Sequence, residues 1–233
     1  MSEPARLAGV YFSPGAAMAD IVARPQRWFI PLILVMVVQL IFMNQFGKRV
    51  GWERAVRQQI ENNSQIQQLP PEKKQEAIDR GVKIGGTMAY VGAIAGPPVV
   101  AVIMAGILMF VMNAMGGAAR FVQSLAIVCY GSLINLLAGV LAIGVLFLKN
   151  PEDFDIQNPL AFNVGAFVPE TAPKWLAALG SSLDVFSFWS MAVLAFGYAA
   201  TSRKMTWGKA LTGILGLWAV VVVCKVGWRA MFG

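Results

Sequence analysis

An aspartate stands at the threshold of a long apolar run in SSLDVFSFW, residues 181–189. Ser181 or Ser182 followed two or three residues later by Asp184 gives a Ser-x-x-Asp helix start, a weaker form of the capping box. A carboxylate in the first turn also favours the positive end of the helix dipole, by about 0.3–1 kcal/mol. Phe186, Phe188 and Trp189 then supply an aromatic belt at a membrane boundary. The expected role of Asp184 is therefore structural. A second acidic group, EDFD at 152–155, offers oxygens of the type that calcium takes, but no EF-hand spacing follows it, and no metal site is expected. The chain holds no histidine, which removes the commonest general base and the commonest metal ligand together. There are no paired carboxylates within the apolar runs and no Gly-x-Ser-x-Gly. No catalytic residue, no cofactor and no enzymatic activity are expected. Cys129 and Cys224 each sit inside an apolar run and read as packing residues.

Polar groups at membrane depth are the usual place to look for function. Here they are Gln39, Ser132, Asn135, Ser187, Ser190 and Thr212, amides and hydroxyls of the kind that bond between helices at about 0.6–2 kcal/mol each. Lys225, near Trp228 and Arg229, is placed to snorkel to the interface. The segment GAIAGPPVV, residues 92–100, combines a GxxxG pair, Gly92 and Gly96, with Pro97 and Pro98. The glycines would admit a neighbouring backbone, expected to be the span carrying Ser132 and Asn135. The prolines remove two donors and should kink or break the helix, leaving the carbonyls of Ala93 and Ile94 in need of partners.

The elements that hold these groups follow from composition and run length. Of the 233 residues 57% are hydrophobic and only 13% charged, against about 45–50% and about 25% in a soluble domain. Five stretches are long enough to cross about 30 Å of hydrocarbon as helices: residues 28–46, 87–114, 121–148, 184–201 and 209–231. None alternates as a barrel strand does. The fold class is all-α, a polytopic integral membrane protein of five transmembrane helices with a small extramembrane helical hairpin at 47–86. In that hairpin Trp52, Val56 and Ile60 form one apolar stripe, and Glu53–Arg57, Glu76–Arg80 and Asp79–Lys83 have ion-pair spacing. A second hairpin helix is expected over 72–83, after Pro71. Residues 149–182 read as a Pro-rich interfacial loop with a short amphipathic turn at 175–179. The first 27 residues contain no signal-peptide h-region, so the first span is expected to be retained behind a short polar arm.

From about Gly116 onward, GGAARFVQSLAIVCYGSLINLL (116–137) and LDVFSFWSMAVLAFGYAATSRKMTWGKALTGILGLW (183–218) resemble the Yip family (Ypt/Rab-interacting proteins), in the form of its compact prokaryotic-type members. YFSPGAAMADIVARPQRW is similar to the family's N-terminal lead-in. The resemblance implies five spans and a cytosolic N-terminus, in a multi-pass protein of the cytoplasmic membrane of a prokaryote. The long N-terminal region of the trafficking members has no counterpart before the first span, and no residue here is assigned to GTPase or coat contacts. With the N-terminus inside, Arg6, Arg24, Arg27, Arg120, Arg203, Lys204 and Lys209 obey the positive-inside rule, whereas the cations of the hairpin oppose it. The reading follows the family and the N-terminal charges.

Net charge is +7, as expected for a protein facing anionic lipid, and no nucleic-acid partner is expected. The expected function is non-enzymatic: organising protein partners or lipid at the membrane, with membrane lipid, protein partners or a second copy as associates and no small-molecule ligand assigned. The alternative is a small transporter, channel or lipid-moving protein built around the Gly/Pro-broken second span.

Overall fold

The computed structural model describes residues 1–61, 66, 68–154, 159–169 and 171–232. Ser64 in the hairpin, and Asp155 and Glu170 in the loop, lie outside the described residues, as does the side chain of Asp153. The chain is all-α: helices α1 (Glu3–Phe12), α2 (Pro14–Ala23), α3 (Phe29–Arg49), α4 (Trp52–Glu61), α5 (Pro71–Ala114), α6 (Phe121–Gly131), α7 (Leu133–Leu148), α8 (Lys174–Ser182), α9 (Val185–Ala199) and α10 (Trp207–Phe232). Among the described residues four segments are long and apolar enough to cross a membrane: 25–49, 71–114, 121–148 and 207–231. The apolar helix α9 is shorter, at 15 residues.

The first difference from the sequence reading is at the N-terminus. Residues 1–27 are no polar arm. They form a helical pair, α1 and α2, each opened by a proline in its first turn, where a missing N–H costs nothing. Val10, Ala17, Met18 and Ile21 are fully buried against Ala126, Tyr130 and Ile134 of α6 and α7 and Val193 of α9. Gly9 lets α1 and α2 cross closely, since a Cβ there would fall 2.9 Å from that of Ala17.

The second difference is in the hairpin. The helix after Pro71 does not stop near Lys83 but continues through the membrane segment to Ala114, 44 residues in all and about 66 Å long at 1.5 Å per residue. No breaker separates the two parts. Gly85 and Gly86 are weak helix formers, but with Gly81 they make room for α4. A Cβ on Gly81 would lie 2.6 Å from Val56 Cγ1, and one on Gly86 3.1 Å from the Trp52 indole. The apolar stripe of α4 is thus covered by α5 itself. Glu53 and Arg57 form their ion pair at 2.8 Å, while Asp79 accepts from Gln75 at 2.8 Å.

The third span is two helices, α6 and α7, that meet at Gly131–Ser132, a glycine–serine pair of the kind at which helices kink. Carbonyls beside the kink take partners from other helices: Leu133 from the Tyr11 hydroxyl at 2.5 Å, and Gly131 from Ser190 at 3.5 Å.

Two ends of the bundle are defined by contacts. At one, the turn after α5 meets the turn before α10, with Gly116 near Lys204 and Lys209, and Gln123 donates to Val22 O at 3.0 Å. At the other, Arg49 donates to Phe147 O at 2.9 Å, at the end of α7, and Arg54 donates to Glu152 O. Phe42, Phe46, Trp52 and Phe154 cluster there. Lys225 of α10 reaches Ser181 and Ser182 at 3.0 and 3.1 Å, tying α8 to the last helix. The hairpin and the 149–182 loop therefore share one end, and the N-terminal pair closes toward the other.

Candidate functional site

Charged side chains gather where α1 and α2 fold back on the bundle. Arg6, one turn into α1, is 4% exposed. Its Nε donates to Asp20 Oδ2 at 2.7 Å, Nη1 to Arg24 O at 3.3 Å, and Nη2 to Asp20 O at 3.4 Å. Asp20, in the last turn of α2, has its other oxygen occupied by the Met1 amine at 2.9 Å and by Arg24. The amine, Arg6 and Arg24 together hold the Asp20 carboxyl well below the usual carboxylate range, against the desolvation that would raise it. Glu3 accepts from the Tyr130 hydroxyl of α6. Its second oxygen, Oε2, is buried without a hydrogen bond and lies 3.7 Å from both Arg6 Nη1 and Arg27 Nη1.

The sequence places these groups by helical geometry. Glu3 and Arg6 are three apart on α1, and Asp20 and Arg24 are four apart at the end of α2, so each pair lies on one helix face. The crossing at Gly9 and Ala17 then brings the two faces together. The turn Pro25–Arg27 delivers Arg27 directly before Trp28 and span α3. A cavity of about 400 Å³ opens beside the cluster, lined by Met1, Ser2, Glu3, Arg6, Arg24, Gln26 and Arg27. Three guanidiniums against two carboxylates leave this surface cationic, and the arrangement is suited to holding an anion. It has no nucleophile set against a base.

The residues singled out from sequence lie elsewhere. Pro97 and Pro98 are inside α5, which runs on through them without a break. Gly92 and Gly96 face open space: a Cβ on either would meet nothing within 4 Å. The close approach expected there is made one position further round the helix, by Ala93, Ala101 and Ala105, with the last two packed against Leu32 of α3 and Leu125 and Cys129 of α6. Ser132 turns back to Cys129 O at 2.7 Å in its own helix, and Asn135 is exposed. Thr212 likewise bonds to Gly208 O at 2.9 Å.

Asp184 is the N-cap of α9, accepting from Ser187 N at 2.8 Å. Ser181 and Ser182 do not cap it. They end α8, each donating to Ala178 O at 3.0 and 2.8 Å. The backbone of Asp184 also pairs with Asn163 across the loop.

Two polar groups that tie the core together carry no obvious mark in the sequence. Ser124 of α6 donates to Ala105 O of α5 at 2.7 Å and is hydrogen-bonded to the Tyr198 hydroxyl of α9. All three helices meet at that point. The N-terminal cluster did leave a signal, the regular charge spacing of Glu3, Arg6, Asp20, Arg24 and Arg27 around an apolar stretch.

The profile of the Yip1 domain family matches residues 8–227. No curated protein and no solved structure matches the chain.

Proposed function

The chain belongs to the Yip family of multi-pass membrane proteins, and on that premise we propose that it is a non-enzymatic protein that organises lipid or protein partners at the membrane. The observation that carries this reading is where the unsatisfied charge lies. Inside the bundle the hydroxyls of Ser124, Tyr198 and Tyr11 link helices to one another. The cationic cavity instead opens at the surface, beside the first span, where headgroups and membrane-bound partners are met.

The bundle crosses the membrane five times in this proposal, with α9 as the short crossing between the loop and the turn at 200–206. The N-terminus faces the cytosol, as the N-terminal arginines and the family pattern favour, in the cytoplasmic membrane of a prokaryote. The transporter reading loses its main support, because α5 is unbroken at Pro97–Pro98 and Gly92 and Gly96 face outward.

Purification of the intact protein in native lipid particles, with mass spectrometry of the associated lipids and proteins, tests the proposal. A defined lipid class or stoichiometric protein enriched over bulk membrane is the expected result. Solute flux through reconstituted protein in liposomes, with no enrichment, would overturn it.

A further inference from the structure

In the N-terminal cluster the three arginines do different work. Arg6 is enclosed, and each of its nitrogens already donates to Asp20 or to the Arg24 carbonyl. Arg24 and Arg27 stand outward, with side chains 58% and 62% exposed. Arg24 gives one nitrogen to Asp20, and among the described residues Arg27 makes a single ion pair at 3.7 Å and no hydrogen bond. Both line the cavity together with Gln26, a further donor.

Among the described residues Glu3 is the only carboxylate on the cavity wall, and its free oxygen is sealed from solvent beside Arg6 and Arg27, so an incoming ligand meets guanidinium and amide N–H groups. Guanidinium forks match the geometry of phosphate oxygens. A cavity of about 400 Å³ falls within the range of about 300–1,000 Å³ usual for small-ligand sites. The next residue after Arg27 is Trp28, at the start of the first span, which sets the cavity at headgroup level.

We propose that this cavity binds a phosphate group at the membrane surface, with Arg24 and Arg27 as its principal ligands and Arg6, Glu3 and Asp20 as the frame that holds them. The proposal deepens the function given above and rests on it. The phosphate can be supplied by an anionic lipid headgroup or by a soluble phosphate compound, and the chemistry of recognition is the same.

The full-length protein in neutral detergent would be titrated with short-chain phosphatidylglycerol, short-chain phosphatidylcholine and inorganic phosphate at constant ionic strength, with thermal unfolding as the readout. A saturable rise in melting temperature with phosphatidylglycerol but not phosphatidylcholine assigns a lipid headgroup. One with inorganic phosphate assigns a soluble source. In either case Arg24→Gln/Arg27→Gln should weaken the apparent affinity about tenfold or more, the scale of a lost charge-assisted hydrogen bond. Arg203→Gln/Lys204→Gln, at the same end but outside the cavity, should respond as the parent does. Should the double variant fail to fold, Arg27→Gln alone keeps every bond to Asp20 and should shift affinity the same way. The proposal is overturned if neither phosphatidylglycerol nor phosphate gives a saturable response, or if the cavity variants respond like the parent. Lipid or partner enrichment that persists in that event would leave the broader function standing without this site.

Discussion

Ile127 of α6 lies so close to the backbone of Gly197 in α9 that a Cβ on the glycine would fall 2.6 Å from Ile127 Cγ2 and 2.8 Å from Cγ1. The contact is reciprocal, because Leu194 of α9 sits over Gly131 of α6, 2.7 Å from where its Cβ would be. Small residues that let two helices approach are a main source of association in lipid, where burial from water no longer drives packing. Here they draw α9 into the bundle at the level of the α6–α7 kink.

Gly197→Leu should therefore be far more damaging than Gly96→Leu. Ile127 is fully buried and β-branched, so it cannot swing aside. Overpacking of this kind costs about 1–3 kcal/mol or more. Gly96 faces open space, and a leucine there adds only lipid-facing surface. Thermal unfolding of the two variants in detergent decides the matter, and equal melting temperatures would refute the packing account.

Ser124 and Tyr198 make an asymmetric pair. The single hydroxyl hydrogen of Ser124 goes to Ala105 O, so the Tyr198 hydroxyl must donate to Ser124. Tyr198→Phe removes one donor and leaves Ser124 satisfied, at a cost within about 1 kcal/mol. Ser124→Ala strands the buried Tyr198 hydroxyl and should cost about 1–3 kcal/mol. Denaturation of both variants, with the double variant closing the cycle, reads the difference. A larger loss for Tyr198→Phe would reverse the assigned direction of the bond.

Why the charged cluster escaped a sequence reading while the spans did not is a matter of range. Span α3 or α10 announces itself by a stretch of about twenty predominantly apolar residues, and the cap at Asp184 is local to three residues. Arg6 and Asp20 are 14 positions apart, and Tyr130 is 127 from Glu3. The regular spacing of the charges puts each pair on one helix face, but nothing local to them signals that the two faces meet. At Gly92 and Gly96 the motif pointed to packing, but which side of α5 is covered depends on where α3 and α6 lie, and that is set by Ala101 and Ala105. The length of α5 was obscured for the opposite reason: Gly85–Gly86 read as a boundary, yet their missing side chains are what admit Val56 and Trp52.

The cap at Asp184 predicts a graded series. Asp184→Asn keeps an oxygen for Ser187 N and should unfold near the parent temperature. Asp184→Leu loses the acceptor and should cost about 0.5–2 kcal/mol, the usual scale for an N-cap. Should Asn prove as harmful as Leu, the charge at this position would matter more than the hydrogen bond.

Asp20 predicts a pH dependence. Its folded-state pKa is depressed, by the Met1 amine first and by Arg6 and Arg24. Its contribution to stability is therefore full above the unfolded value of about 3.9 and is lost as pH falls below it toward the folded value. The melting-temperature gap between the parent and Asp20→Asn should be constant from about pH 7 to about pH 5 and narrow below about pH 4. A gap unchanged at about pH 3 would show that the charge of Asp20 adds nothing.

The last prediction concerns sidedness. The bonds Arg49–Phe147 and Arg54–Glu152 put the hairpin and the loop after α7 at one end, while Gly116, Lys204 and Lys209 meet at the other. In the proposed orientation, with Arg24 and Arg27 at the cytosolic face, Ser2 and Ser202 are expected inside and Glu72 and Thr171 outside. The placement of Thr171 and Ser202 on opposite sides depends wholly on α9. Its 15 residues span about 22 Å, less than the hydrocarbon thickness, so the crossing requires local thinning of the bilayer, at a modest cost for each ångström of mismatch. Single cysteines at these four positions, in a background of Cys129→Ala and Cys224→Ala, would be treated with a membrane-impermeant maleimide. Glu72→Cys and Thr171→Cys should react in intact cells, and Ser2→Cys and Ser202→Cys only after permeabilisation. Reaction of Ser202→Cys and Thr171→Cys from the same side would mean that α9 does not cross and that the bundle spans the membrane four times. Reaction of Ser2→Cys from outside, with Glu72→Cys protected, would invert the orientation.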